Sequence, residues 1–206
     1  MRILKPFRFM SKHDIECRAA DVLVGMEGNP LYRPMFPLDV TRVAEFLALD
    51  VVWDCIPDDD QGAIAARILP IDRLIEINET VLALGQGFEA STVAHEIGHW
   101  VLHIEHSAVE RYSRLRERGL DVAIAPLLCR SEEQAQGIEW QAQYFASCLL
   151  MPRDVLQEQV RGRDLSQWCD LYAIAESLGV TISNLIHRLK DLGWLRLEAG
   201  SPQGIG

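Results

Sequence analysis

In the stretch STVAHEIGHWVLH, residues 91–103, His95 and His99 stand four apart, with Glu96 directly after the first. That spacing is close to one helical turn of about 3.6 residues, so the two imidazoles share a face if the segment is helical. Continued through EASTVAHEIGHWVLHIEH, the pattern predicts a helix from about Glu89 to His106, with His95, His99 and His103 along one stripe. Ala90, Ala94, Ile97, Val101 and Ile104 fall on the opposite side and form an apolar arc that needs a core to pack on. Such a helix buries one face and offers imidazoles on the other. A histidine pair at this spacing can direct two nitrogens to one zinc ion.

A catalytic zinc takes three protein ligands and leaves a position for water. One class of HExxH protein supplies a third histidine six residues after the second, with a glycine midway; here those positions hold Glu105 and Leu102. The other class takes a glutamate from a later helix. Glu110, Glu117, Glu132, Glu133 and Glu139 precede Met151. In IEWQAQYFASCLL, residues 138–150, an apolar arc runs through Ile138, Ala142, Phe145, Ala146, Leu149 and Leu150, and Glu139 falls inside it. A carboxylate buried there without a partner is costly, and a metal would neutralise it. Ala142 and Ala146 are small enough for close helix approach, with Gly98 helping from the other side. Glu132 and Glu133 sit in loop-like polar sequence. Glu139 is therefore the predicted third ligand. His103 and Tyr144 are candidates for supporting the ligands from behind or for donating to an oxyanion.

The rest of the chain frames this pair of helices. Ser11 is placed to cap a helix to about Leu23, ended by GMEGNPLYRPMFP. LDVTRVAEFLAL has helical spacing, DVVWDCI suits a short strand, and AIAARIL and LIEIN suit two strands joined across PIDR as a hairpin. Either hairpin strand could be an edge to which an extended peptide adds. Residues 107–137 carry no clear period. LYAIAESLGVTISNLIHRLKDLGWL predicts a helix, a turn at Gly179 and a second helix capped near Thr181 or Ser183. EAGSPQGIG is expected to be disordered.

Composition narrows the function classes. No apolar run approaches the ~18 residues of a membrane span, and the basic opening MRILKPFRFM lacks an apolar signal core, so a cytoplasmic protein without a membrane partner is expected. The net charge of -10 opposes loose binding to nucleic acid. The five cysteines, without a CxxC, suit reduced thiols.

HEIGHWVLH, followed from residue 139 by EWQAQYFASCLLMP, resembles the ImmA/IrrE family of zinc-dependent metallopeptidases. PLDVTRVAEFLALDVVW and AESLGVTISNLIHRLKDLG match that family's pattern as well, so the resemblance covers residues 37–195 and leaves residues 1–36 outside it. It implies an α+β, zincin-like fold with a small sheet packed on the HExxH helix, plus a C-terminal helix-turn-helix-like unit. It further implies Zn2+ on His95, His99 and Glu139, with Glu96 as general base. The implied partner is a protein substrate, a helix-turn-helix repressor whose cleavage derepresses mobile-element or stress-response genes. The implied division is an N-terminal helical extension at 1–36, a metallopeptidase domain at 37–152, the helical unit at 153–195 and a tail at 196–206. Two departures stand out: GQGFEAST replaces the family's usual approach to the helix, and the insertion around ERYSRLRERGLDVAIAPL is long.

Two alternatives use the same residues. One is a DNA-binding regulator acting through residues 170–192, where Ala175, Gly179 and Leu185 suit a helix-turn-helix. Its second helix offers only His187, Arg188 and Lys190, offset by Asp191, and charges balance over residues 151–196, so direct nucleic-acid binding is not expected. The other is a metal-sensing regulator without proteolytic activity, in which Glu96 would be equally present.

Overall fold

The computed structural model describes residues 3–60, 62–129 and 137–195. The tail expected at 196–206 and the loop glutamates Glu132 and Glu133 lie outside the described residues. The elements run α1 (Lys12–Glu27), α2 (Val40–Phe46), β1 (Asp50–Asp54), β2 (Ala66–Leu69), β3 (Leu74–Asn78), a 3-10 turn (Glu79–Leu84), α3 (Gln86–His103), α4 (His106–Glu117), β4 (Leu127–Cys129), α5 (Gly137–Leu150), α6 (Arg153–Val160), α7 (Trp168–Leu178) and α8 (Ile182–Asp191). The fold is α+β, with a four-stranded sheet among many helices, an architecture compatible with a zincin-like domain.

Sheet order is β1-β3-β2-β4, with β1 parallel to β3 and the other pairs antiparallel. The hairpin expected across PIDR is present as β2 and β3. Both of its strands are internal, however, so neither is the edge anticipated from the sequence. The edges are β1 and β4, and β4 comes from the insertion that carried no readable period. Alternation along the hairpin sends Ala66, Ile68, Ile75 and Ile77 into the core, all with no exposed surface. They join Val93, Ala94 and Ile97 of α3 in one hydrophobic cluster.

The opposite side of α3 is covered too. His95, His99 and His103 are 1%, 0% and 6% exposed, so the imidazole stripe faces protein rather than open solvent. The covering element is α5, whose Ala142, Phe145 and Ala146 are fully buried. Gly98 makes the approach possible: a Cβ there would lie 3.0 Å from the Ala142 carbonyl oxygen and 3.2 Å from Phe145 Cδ1.

Helix ends follow local chemistry. Ser11 and Asp14 form a reciprocal capping box at the start of α1. That helix continues past Leu23 to Glu27, because Gly25 sits against the Phe46 ring instead of breaking the helix. The α3 helix begins at Gln86 and stops at His103, short of the expected His106, because Ile104 turns extended and bridges Leu4. Gly179 takes a left-handed conformation at the end of α7, and Thr181 caps α8 through the Asn184 amide. The Arg188 guanidinium of α8 has no exposed surface and donates to Glu16 of α1 at 2.6 Å and to the Met151 carbonyl at 3.2 Å. The C-terminal helices are thereby tied to α1 and α5.

Candidate metal centre

Three ligand-type atoms meet between α3 and α5. His95 Nε2 and His99 Nε2 are 3.0 Å apart, and Glu139 Oε2 lies 3.0 Å from the first and 3.2 Å from the second. Helical periodicity aligns the two rings, and the Gly98–Ala142 contact brings Glu139 onto them although 44 residues separate it from His95. Three ligand atoms around one zinc at about 2.1 Å stand about 3.4 Å from one another. The trio lies within a few tenths of an ångström of that spacing, and its two nitrogens and one oxygen are a donor set zinc accepts. Among the described residues, these three could hold a metal.

The charges within the trio are mutually adjusted. Burial opposes the charged form of His95, but the Glu139 hydrogen bond and the Glu96 and Glu139 carboxylates outweigh it and raise its pKa above the usual 6.5. Burial pushes the Glu139 carboxyl up, but hydrogen bonds and charge from His95 and His99 prevail and hold it at about 2. The Glu139 side chain is 12% exposed.

Glu96 has no exposed surface, and its carboxylate oxygens and His95 Nδ1 lack well-formed hydrogen bonds among the described residues, the Cys129 thiol and Gln143 lying near them. An ionisable side chain this deep and this poorly satisfied needs a reason. Burial pushes its pKa up, only partly offset by His99, His95 and the neighbouring Cys129 thiol. A carboxyl shifted toward neutrality is suited to taking and returning a proton. Cys129 of β4 gathers with His95 and Glu96, their ligand-type atoms within 4.8 Å of one another.

His103 stands behind His99, Nδ1 to Nδ1 at 3.1 Å, and its Nε2 is 3.0 Å from Gln141 Oε1. Burial lowers its pKa to about 4, which keeps the ring neutral. Tyr144 points elsewhere: its hydroxyl is 3.5 Å from Arg188 Nη1, and burial pushes its pKa up to about 12. The structure thus brings His95, His99 and Glu139 together, sets His103 behind them, and turns the Tyr144 hydroxyl toward α8. An oxyanion role for Tyr144 is at odds with that placement.

A cavity of about 290 Å³ lies against His95, walled by Phe88, Ser91, Cys129, Gln143 and the first turn of α8. Gly87 of α3 abuts that turn; a Cβ there would lie 2.9 Å from the Thr181 amide nitrogen.

The family model described as the IrrE N-terminal-like domain, Peptidase_M78, matches residues 53–190. The chain belongs to this family. All of His95, Glu96, His99, His103 and Glu139 fall inside the M78 match, whereas α1, α2 and the segment before them precede it. A Mycobacterium tuberculosis transcriptional regulator shares the fold at 19% identity with a TM-score of 0.53, over 86% of this chain and 46% of that one. The chain thus spans less than half the length of that protein. No curated protein matches the sequence significantly. No helix among the described residues is long and apolar enough to cross a membrane.

Sequence inspection missed Gln141, Cys129 and the Glu16–Arg188 pair. A polar Gln141 beside the apolar arc of α5 was the available signal for the first. Cys129 sits in a three-residue strand with no period, and Glu16 and Arg188 are 172 residues apart.

Proposed function

We propose that this M78 chain is a zinc-dependent endopeptidase of the ImmA/IrrE type, with His95, His99 and Glu139 as metal ligands and Glu96 as general base. The observation that carries it is the trio of ligand atoms at 3.0–3.2 Å beside a fully buried glutamate. When bound, zinc supplies Lewis acidity, lowering the pKa of water from ~16 to about 7 and polarising a carbonyl. Glu96 takes the water's proton on a carboxylate oxygen and delivers it to the departing amine nitrogen. Its burial favours this, because it brings the carboxyl's pKa closer to that of the proton's source. A substrate peptide in extended form adds along β4, which pairs only with β2 among the described residues and carries Cys129 beside the base. The cavity against His95, which Cys129 also lines, would receive one of its side chains.

The division at residues 36, 152 and 195 belongs to this proposal, with α7 and α8 as a helix-turn-helix-like unit. The proposed substrate is a helix-turn-helix repressor encoded beside the gene, cleaved in a cytoplasmic setting. The DNA-regulator alternative is disfavoured by α8. A recognition helix reads bases with its first turns, but here Asn184 donates to Ser91 of α3 at 3.0 Å and Arg188 is fully buried. Of the basic side chains of α8 only His187 and Lys190 are exposed, too little for phosphate-driven affinity.

The test incubates the zinc-loaded protein with that repressor and with a peptide library, with and without chelator. Cleavage that the chelator abolishes is expected. No cleavage of either substrate, together with a sub-micromolar, sequence-dependent shift of duplex DNA, would favour the regulator.

A further inference from the structure

The hydrogen bonds behind His99 end on the N-terminal segment, which precedes the M78 match. Gln141 Nε2 donates to the Arg8 carbonyl oxygen at 2.9 Å, and Gln141 is 1% exposed. A carbonyl can only accept, so this bond fixes which end of the amide faces which way. Gln141 Oε1 then faces His103 Nε2 at 3.0 Å and requires a proton on that nitrogen. A neutral imidazole with Nε2–H keeps a lone pair on Nδ1. That lone pair faces His99 Nδ1 at 3.1 Å, so His99 donates from Nδ1. The lone pair of His99 is consequently on Nε2, the nitrogen that meets His95 and Glu139.

The segment holding Arg8 is itself anchored to the end of α3. Lys5 N donates to the His103 carbonyl and Glu105 N to the Ile3 carbonyl, each at 2.8 Å, and Leu4 bridges Ile104. Lys5 Nζ lies 3.4 Å from the Val101 carbonyl oxygen and 3.2 Å from that of Leu102. A cation on the last carbonyls of a helix satisfies otherwise unpaired acceptors and complements the helix dipole.

We infer that residues 3–9 form a strap that positions His99 through the relay Arg8 carbonyl–Gln141–His103, making Gln141 and His103 positioning residues for the metal ligand. This deepens the zinc assignment made above and rests on it. Partners of this kind fix the tautomer and ring orientation of a ligand histidine, and losing one commonly weakens metal binding by about 10–100-fold.

Two readouts test it. Zinc affinity is measured by chelator competition for wild type, Gln141→Leu, a chain lacking residues 1–9, and Arg8→Ala. The His103 tautomer is read from the 15N shifts of its ring in wild type and Gln141→Leu. Expected are affinities about 10–100-fold weaker for Gln141→Leu and for the shortened chain. Arg8→Ala, which keeps the carbonyl and alters only an exposed side chain, should match wild type. Measured without metal, His103 in wild type should carry its proton on Nε2, and Gln141→Leu should release that preference. If the shortened chain does not fold, Gln141→Leu decides. A folded Gln141→Leu with wild-type affinity, or a wild-type His103 protonated on Nδ1, overturns the relay. A wild type that binds no zinc would instead remove the metal assignment, while the His103 shifts still decide the hydrogen-bond order.

Discussion

Gly98 and Ala142 meet at backbone distance: a methyl group on Gly98 would lie 3.0 Å from the Ala142 carbonyl oxygen and 3.1 Å from its Cα. This contact sets the spacing of the two helices that carry His95, His99 and Glu139. Alanine would ordinarily strengthen a helix by about 1 kcal/mol over glycine. Here the obstructing atoms are backbone and cannot swing aside, so Gly98→Ala is expected to destabilise by about 1–3 kcal/mol, the usual scale of overpacking. It should also weaken zinc retention by moving Glu139 away from the histidines. Urea denaturation and zinc analysis check both effects.

In the proposed zinc site, proton and metal compete for His95. Its pKa is raised, so the protein stripped of metal keeps this imidazole charged to a higher pH than an ordinary histidine. Binding metal must then expel that proton, and affinity should fall about tenfold per pH unit below the His95 value. Glu139, held at about 2, adds no such dependence above pH 3 or so. The stability of the stripped protein has the matching sign. The raised His95 contributes fully below about 6.5 and loses that contribution as pH rises through its folded value. The depressed Glu139 contributes above about 4.5 and loses its contribution as pH falls through about 2. Chelator competition and thermal melts across pH check these directions.

Glu16 holds two arginines of unequal standing. Arg188 is fully buried at 2.6 Å, whereas the Arg153 side chain is 54% exposed at 3.2 Å. Glu16→Ala leaves the Arg188 charge uncompensated in the interior and should cost about 3–5 kcal/mol. Arg153→Ala should cost about 0–1 kcal/mol, as for a surface pair. Denaturant midpoints of the two variants provide the comparison.

The helices of the site were legible in the sequence because both carry strong periodic patterns. The imidazole stripe of α3 and the carboxylate inside the apolar arc of α5 each announce a helix with an unusual face. Small residues at Gly98, Ala142 and Ala146 even indicated the close approach. What escaped was everything fixed by partners far along the chain. The true end of α3 depends on Leu4, which pairs with Ile104. The order of the sheet depends on β4, three residues without alternation, so the hairpin strands looked like edges when they are internal. Arg188 looked like a surface base on α8 and is buried, because its acid lies on α1.

Glu96→Gln separates the proposed base from the proposed ligands. The substitution keeps the shape, touches none of the three ligand atoms, and removes a fully buried carboxylate whose burial disfavours its charge. Stability should therefore be unchanged or improved. Zinc should be retained while cleavage falls by about 10²-fold or more. A variant that still cleaves at the wild-type rate would show that another group moves the proton.

The zinc content of the purified chain, compared between wild type and Glu139→Ala, tests the central claim most directly. Wild type prepared without chelator should hold about one zinc per chain, since two imidazoles and a carboxylate complete a catalytic set. Glu139→Ala should lose most of that zinc, whereas Glu110→Ala, whose carboxylate is 58% exposed on α4, should keep it. A Glu139→Ala protein that retains zinc as tightly as wild type, or a wild type that neither contains zinc nor takes it up, would contradict the account.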